Sequence, residues 1–220
     1  TLVDVTHLVP PGSVRAGAYH LGRTWHRFPA GTVHLAVVDP GVGTSRAGVA
    51  LAAGGHHFVG PDNGLLSPVL GQATAVVRLA EPAEAAPTFH GRDVFGPAAA
   101  RLAMGYPLAT LGAPYAGTPA RLPAHEIRYE GKVVIGQVIH EDRFGTLVTD
   151  LTAEDVPPYA VVFVGDFEVG PLRRTFGDVA SGGLLAFVGS AGMVEVAVRD
   201  GSAARRLGAG VGNEVRARLG

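Results

Sequence analysis

The sequence predicts an α/β amino-terminal domain built on a Rossmann-like layered sheet, followed by a smaller all-β domain. Three observations carry this reading. Helical and strand patterns alternate over the first half, the stretch 112–123 turns rich in Pro and Gly, and beyond it short β-branched runs are separated by Gly turns. At 220 residues, 47% of them hydrophobic, the chain can bury a sizeable core and is too apolar to be disordered.

The elements follow in order. Ser13 is placed to cap a helix whose Val14, Ala18, Leu21, Trp25 and Phe28 fall on one face, and Pro29 with Gly31 closes it. The run 32–38 is apolar with His34 as its one interruption, the pattern of a strand covered on both faces. A strand at 48–53 turns at Gly54-Gly55 into 56–60, a hairpin. An Ala- and Leu-rich helix is expected at 95–104, stopped by Gly105 and Pro107. The runs 133–139, 160–164, 184–188 and 193–198 then read as strands of a small barrel or sandwich. The boundaries drawn are 1–117 for the α/β domain, 118–128 for a linker and 129–220 for the β domain.

Composition narrows the function. The net charge is -1 and no basic run stands out, so nucleic acid is not expected as a partner. The chain has no cysteine, which removes disulfides, thiolate zinc sites and a cysteine nucleophile together. No apolar run reaches the ~18 residues of a membrane span, and residues 1–17 lack the pattern of a signal peptide, so a soluble cytoplasmic protein is expected.

Several segments carry chemistry. The 32–38 strand ends in Asp39-Pro-Gly-Val-Gly-Thr-Ser-Arg46, which sends a carboxylate and a guanidinium off the carboxyl edge of a strand, where open α/β sheets bind ligands. The same residues would suit a plain turn with Asp39 bonded to its own loop. In Gly60-Pro-Asp-Asn-Gly-Leu-Leu66, Asp62 and Asn63 read either as turn chemistry or as a carboxylate and an amide offered to a polar ligand. Thr88-Phe-His-Gly-Arg-Asp93 precedes a helix, so His90 is a proton carrier or a core histidine, and Asp93 is expected to cap that helix. The segment from Asp142 to Asp150 reads first as a hairpin turn. Ser190 and Glu195 fall on a tight turn and its following strand, and the glycine spacing around Ser190 does not match a nucleophile elbow, which argues against a serine hydrolase.

Taken in order, the segments 37–46, 59–66, 88–93 and 142–150 closely resemble the S-adenosylmethionine (SAM) hydroxide adenosyltransferases, the hydrolytic relatives of fluorinase and chlorinase. The likeness extends from the opening Val3-Asp-Val-Thr-His-Leu-Val-Pro-Pro11 to the closing 190–207 stretch. It implies a homotrimer of an α/β domain plus a β-barrel domain, with the ligand at subunit interfaces. It implies SAM as substrate, adenosine and methionine as products, and no cofactor. Asp39, Arg46 and His90 match the family's water-activating triad, and Asp142 matches the carboxylate that meets the methionine ammonium. The expected substrate contacts are Asp62, Asn63, Asp142, Phe144, Thr146, Ser190 and Glu195. The halogenases differ at the histidine motif and carry an insertion after the glycine loop that is absent here, which favours water over halide as nucleophile.

The chain departs from the family at its start, where an opening strand and a ribose-gripping acidic loop are expected and Thr1 stands instead. In the barrel motif Thr146 and Asp150 occupy positions where the family has Asn. The chemistry is nevertheless simple. The sulfonium is already a good leaving group, and holding a nucleophile in line with C5′ is worth up to ~7–11 kcal/mol. Two other readings stay open: a metal-dependent hydrolase using Asp39, Asp62 and His90, and a non-catalytic SAM or nucleoside-binding module.

Overall fold

A computed structural model describes residues 1–124 and 126–220, which divide into two compact units, Thr1–Pro123 and Ala124–Gly220. The linker expected over 118–128 includes position 125, which lies outside the described residues.

In the first unit, strands β1 (Val33–Leu35), β2 (Gly48–Ala53), β3 (His56–Pro61), β4 (Ala73–Leu79) and β5 (Gly112–Pro114) form one sheet in the order β1-β3-β2-β4-β5. The two-residue period of β2 delivers a layer on each side. Val49, Leu51 and Ala53 pack with Leu21 of helix α1 (Val14–Thr24), and Ala50 packs with Phe95 and with Ala98 and Leu102 of helix α2 (Gly96–Ala103). The layered α/β organisation is therefore present. Its strand directions differ from a doubly wound sheet: β1–β3 is parallel, whereas β3–β2, β2–β4 and β4–β5 are antiparallel. The central hairpin explains the difference, because Gly54 and Gly55 take positive φ (56° and 81°) and reverse the chain in two residues, with no crossover helix between β2 and β3.

Several local expectations are corrected. The 32–38 run is not covered on both faces: Leu35 and Val37 are exposed, and the buried residue is His34. Its Nε2 lies 3.2 Å from His56 Nδ1, and its ring stacks on Phe58 at 4.8 Å, so the polar interruption is satisfied indoors by a second imidazole. Ser13 occupies the N-cap position of α1 without a side-chain bond. The helix expected from 95 is entered through a π turn, Gly91–Phe95, and Asp93 does not cap it; its Oδ2 accepts from the Ala86 N–H at 2.9 Å.

The second unit comprises β6 (Arg128–Glu130), β7 (Val133–Glu141), β8 (Leu147–Thr152), β9 (Val161–Val164), β10 (Phe167–Arg173), β11 (Leu184–Val188), β12 (Met193–Val198), helix α3 (Ala203–Leu207) and β13 (Glu214–Arg218). The strand order is β13-β9-β10-β11-β12-β8-β7-β6, and β13 also pairs with β7. Seven strands therefore close on themselves as a barrel, with β6 added outside the ring on β7, and the interior is filled by Val134, Val138, Leu147, Leu151, Val162, Val196 and Val215. Among the described residues no helix is long and apolar enough to cross a membrane.

The buried histidine pair makes the first unit acid-sensitive. Burial, then the neighbouring His56, hold the His34 imidazole down at about 4, against an ordinary value of 6.5. A depressed folded-state value gives stability that is complete above pH 6.5 and is lost as the pH falls from there through 4. The thermal midpoint should fall across that window, and His34→Phe should flatten the slope; identical slopes for the two proteins would remove His34 as the cause.

Candidate active site

Asp39 is positioned by two loops acting on one strand. After β1 the chain keeps its parallel course through the Ala36 N–H, which donates to Val59 O at 3.0 Å. Asn63 Nδ2 then donates to Val38 O at 2.9 Å, pinning the residue before Asp39, while Asn63 Oδ1 accepts from the Leu65 N–H at 3.1 Å. The glycine loop folds back next: Thr44 Oγ1 donates to Gly41 O at 2.7 Å and accepts from the Arg46 N–H at 3.3 Å. Gly43 allows this with φ of +77°, where a side chain would crowd Pro87 O at 3.1 Å. The result brings Arg46 to face the carboxylate seven residues behind it.

Arg46 is the hub. Its Nη2 donates to Asp39 Oδ2 at 2.5 Å and lies 3.2 Å from His90 Nδ1. The side chains of Asp39 and Arg46 are each 7% exposed, and His90 is 6% exposed. The guanidinium Cζ sits 5.3 Å from the ring centre of Phe95, which is fully buried. Because a guanidinium only donates, His90 Nδ1 is the acceptor, and the neutral imidazole carries its proton on Nε2.

Burying this pair is expensive unless its remaining donors and acceptors are met. Among the described residues, Asp39 Oδ1, Arg46 Nε and Arg46 Nη1 are buried with no hydrogen-bond partner. Each such group costs about 1–3 kcal/mol, which makes this cluster the most costly concentration of unmet polar atoms among the described residues.

Asp62 and Asn63 stand beside this cluster as its framework. The Asp62 N–H donates to Ala47 O at 2.9 Å, next to Arg46. Its carboxylate accepts from the Tyr115 hydroxyl and, at 2.7 Å, from the Ala120 N–H. That first bond holds the Tyr115 phenol above its ordinary range. Asp62 is thus committed to Tyr115 and Ala120, and among the described residues no three His, Asp or Glu side chains gather as a metal-binding group. The donor set Asp39, Asp62 and His90 is corrected accordingly. Asp93 is tied to its own turn, and the hydrogen bond from Arg92, then that from the Ala86 N–H, hold its carboxyl at about 2.

In the second unit, Asp142 Oδ1 accepts from the N–H groups of Phe144 and Thr146, both at 2.9 Å, and so shapes the turn between β7 and β8. Phe144 is 63% exposed, with the Arg143 guanidinium 4.6 Å from its ring centre, and Thr146 is buried. Glu195 lies opposite Val148 on the neighbouring strand and packs over Gly189, where an added Cβ would displace its carboxylate. Ser190 sits on the turn whose Gly192 O accepts from the Ala153 N–H at 3.0 Å, at the far end of β8. The structure groups Asp142, Phe144 and Thr146 on one turn, and Ser190 lies on the turn between β11 and β12. Reading the sequence missed Phe95 and Tyr115; both are ordinary apolar-pattern aromatics until the fold sets them on Arg46 and Asp62.

Residues 1–112 match the SAM hydroxide adenosyltransferase N-terminal domain, and residues 136–216 match the C-terminal domain of the same family. The chain belongs to the SAM hydroxide adenosyltransferase family. A relative from Salinispora tropica named (R)-S-adenosyl-L-methionine hydrolase is 45% identical over all of this chain and 87% of its own length. One of the same name from Thermus thermophilus is 45% identical over 98% of this chain and 87% of its own. A crystal structure of a Thermotoga maritima protein matches with a TM-score of 0.90 at 34% identity, covering 99% of this chain and 89% of that one.

At the family's barrel motif, Asp150 Oδ1 accepts from the Gln137 N–H at 2.7 Å, so that carboxylate serves the β7–β8 ladder. The ion pair gives a direct test of the site's energetics. Asp39→Ala strands the Arg46 charge in a buried setting and should lower the unfolding free energy by about 3–5 kcal/mol in urea titrations. A loss below about 1 kcal/mol, the worth of an exposed pair, would contradict the burial described here.

Proposed function

We propose that the chain hydrolyses SAM to adenosine and L-methionine by in-line attack of water at C5′, with Asp39, Arg46 and His90 as catalytic residues. The observation that carries this reading is the buried Arg46 cluster, whose Asp39 Oδ1, Arg46 Nε and Arg46 Nη1 have no partner among the described residues. Full-length relatives at 45% identity named as SAM hydrolases support the substrate.

The roles follow from which atoms are already used. His90 Nδ1 is occupied by Arg46, which leaves an N–H donor at Nε2 rather than a base. Asp39 Oδ1 is the acceptor that remains. Water has two lone pairs, so it accepts one hydrogen bond from His90 or Arg46 and aims the other at C5′. As the new C–O bond forms and the C–S electron pair returns to sulfur, positive charge moves from sulfur to the attacking oxygen. A neighbouring carboxylate stabilises that charge and takes the proton as it becomes acidic. One water and one SAM cation thus yield adenosine, methionine and a proton.

The same proposal takes no cofactor and invokes no metal. Phe144 offers an exposed ring for stacking a purine, with Asp142 and Thr146 beside it as ligand contacts; Asp62 and Asn63 support the site, and Glu195 and Ser190 complete the proposed set. The Rossmann-like reading of the first sheet, supported by the parallel β1–β3 pair that leads to Asp39, belongs here too, as do a homotrimer and a cytoplasmic setting without membrane or nucleic acid. Light scattering should give three times the 22.6 kDa chain mass.

Purified protein incubated with SAM should release adenosine and methionine, with the rate unchanged by EDTA. Asp39→Asn should lower kcat by about 10²–10⁴-fold, the usual range for a lost general base, and His90→Ala should cost less. A larger loss for His90→Ala than for Asp39→Asn reverses the assigned roles. Inhibition by EDTA points to a metal, and calorimetric binding without product reduces the protein to a binding module.

A further inference from the structure

We propose that Phe95 is a positioning residue that sets the plane of the Arg46 guanidinium, and that the π turn at Gly91–Phe95 exists to bring Phe95 and His90 to the same arginine. The proposal rests on the reading of Arg46 as part of the hydrolytic site.

Arg46 spends one nitrogen, Nη2, on both of its hydrogen-bonded neighbours, while Nε and Nη1 have no partner among the described residues. Hydrogen bonds at a single nitrogen leave the planar group able to swing about that corner. The Phe95 ring, 5.3 Å from Cζ, lies within the distance at which a cation is drawn to an aromatic face. The ring itself cannot shift. Phe95 is fully buried, and a Cβ at Gly48 would come within 2.9 Å of its Cε1 and 3.5 Å of Leu79 Cδ1. Strand β2 therefore gives up a side chain two residues after Arg46 to seat the ring beneath it.

Helix geometry explains why the turn is wide. In an α-helix each residue advances about 100°, so positions five apart point roughly 140° away from each other. Here the Gly96 N–H donates to Gly91 O, five residues back, and the wider turn brings positions five apart round to one side. His90 and Phe95 are such a pair, and both meet Arg46. An α-helical turn over the same sequence would keep one contact and lose the other.

The test is Phe95→Leu, which keeps apolar bulk and removes the aromatic face, with Phe58→Leu as control at an equally buried phenylalanine. Phe95→Leu should lower kcat about tenfold with KM within twofold, and Phe58→Leu should lower the thermal midpoint while leaving kcat within twofold. In an Arg46→Lys background, which has no guanidinium plane to orient, Phe95→Leu should reduce kcat no further. Equal kcat for the two leucine variants, or losses that multiply in the double variant, overturn the proposal. Should wild-type protein release no adenosine, the hydrolase reading fails by itself, and the Arg46 Nε–H resonance decides this one: displaced in Phe95→Leu but not in Phe58→Leu upholds it, and unmoved in both overturns it.

Discussion

A carboxylate and a guanidinium held together out of water constrain most of what surrounds them. Asp39 and Arg46 are both almost wholly buried, and a pair in that condition is stable only if neither charge is ever left alone. The first unit meets this demand with backbone as much as with side chains. Asn63 fixes the peptide before Asp39, Asp62 is bonded to the peptide after Arg46, and the glycine loop between them turns tightly enough for the two charges to meet. Tyr115 and the Ala120 N–H in turn hold Asp62. The outermost members of this arrangement govern the direction of the Asp39 and Arg46 atoms at its centre.

The arrangement also sorts the three central residues chemically. A guanidinium that donates from one nitrogen to both a carboxylate and an imidazole fixes the tautomer of the second and occupies one oxygen of the first. What remains is one acceptor and a set of donors, an asymmetry suited to guiding a water molecule whose proton must leave late. Three charged or ionisable groups in a row would be ambiguous without Arg46 in the middle.

Much of this was legible in the order of residues, and the failures have identifiable causes. Loop position alone left Asp39 open to a plain turn and His90 to a core role; the family resemblance joined them with Arg46, and the fold brings the three side chains together. Asp62 and Asn63 were read both as turn chemistry and as ligand contacts, because the groups that close a turn are the same groups that bind a polar ligand; the fold shows the first use, in the bonds to Val38, Tyr115 and Ala120. His34 looked like a flaw in an apolar strand; it is the inward residue because a second imidazole from β3 satisfies it, a pairing across 22 positions that local pattern does not encode. The π turn was invisible for a similar reason, since one extra residue in a helical turn leaves composition and periodicity almost untouched. In the second unit the long Val-rich strands declared themselves, whereas β10 did not, because Gly170 and Pro171 interrupt it at a bulge.

The seam of the barrel has a consequence for how the molecule is made. Strand β13 lies between β7 and β9, with Arg218 in register with Val133 on one side and Val161 on the other. Until that final strand leaves the ribosome, β7 and β9 each present an unsatisfied edge, and the cylinder stays open. Residues 1–123 have all been synthesised well before then, so that unit can begin folding while the other waits for a contact spanning nearly its whole length. Nascent chains stalled shortly before residue 214 therefore expose both strand edges and invite pairing with one another.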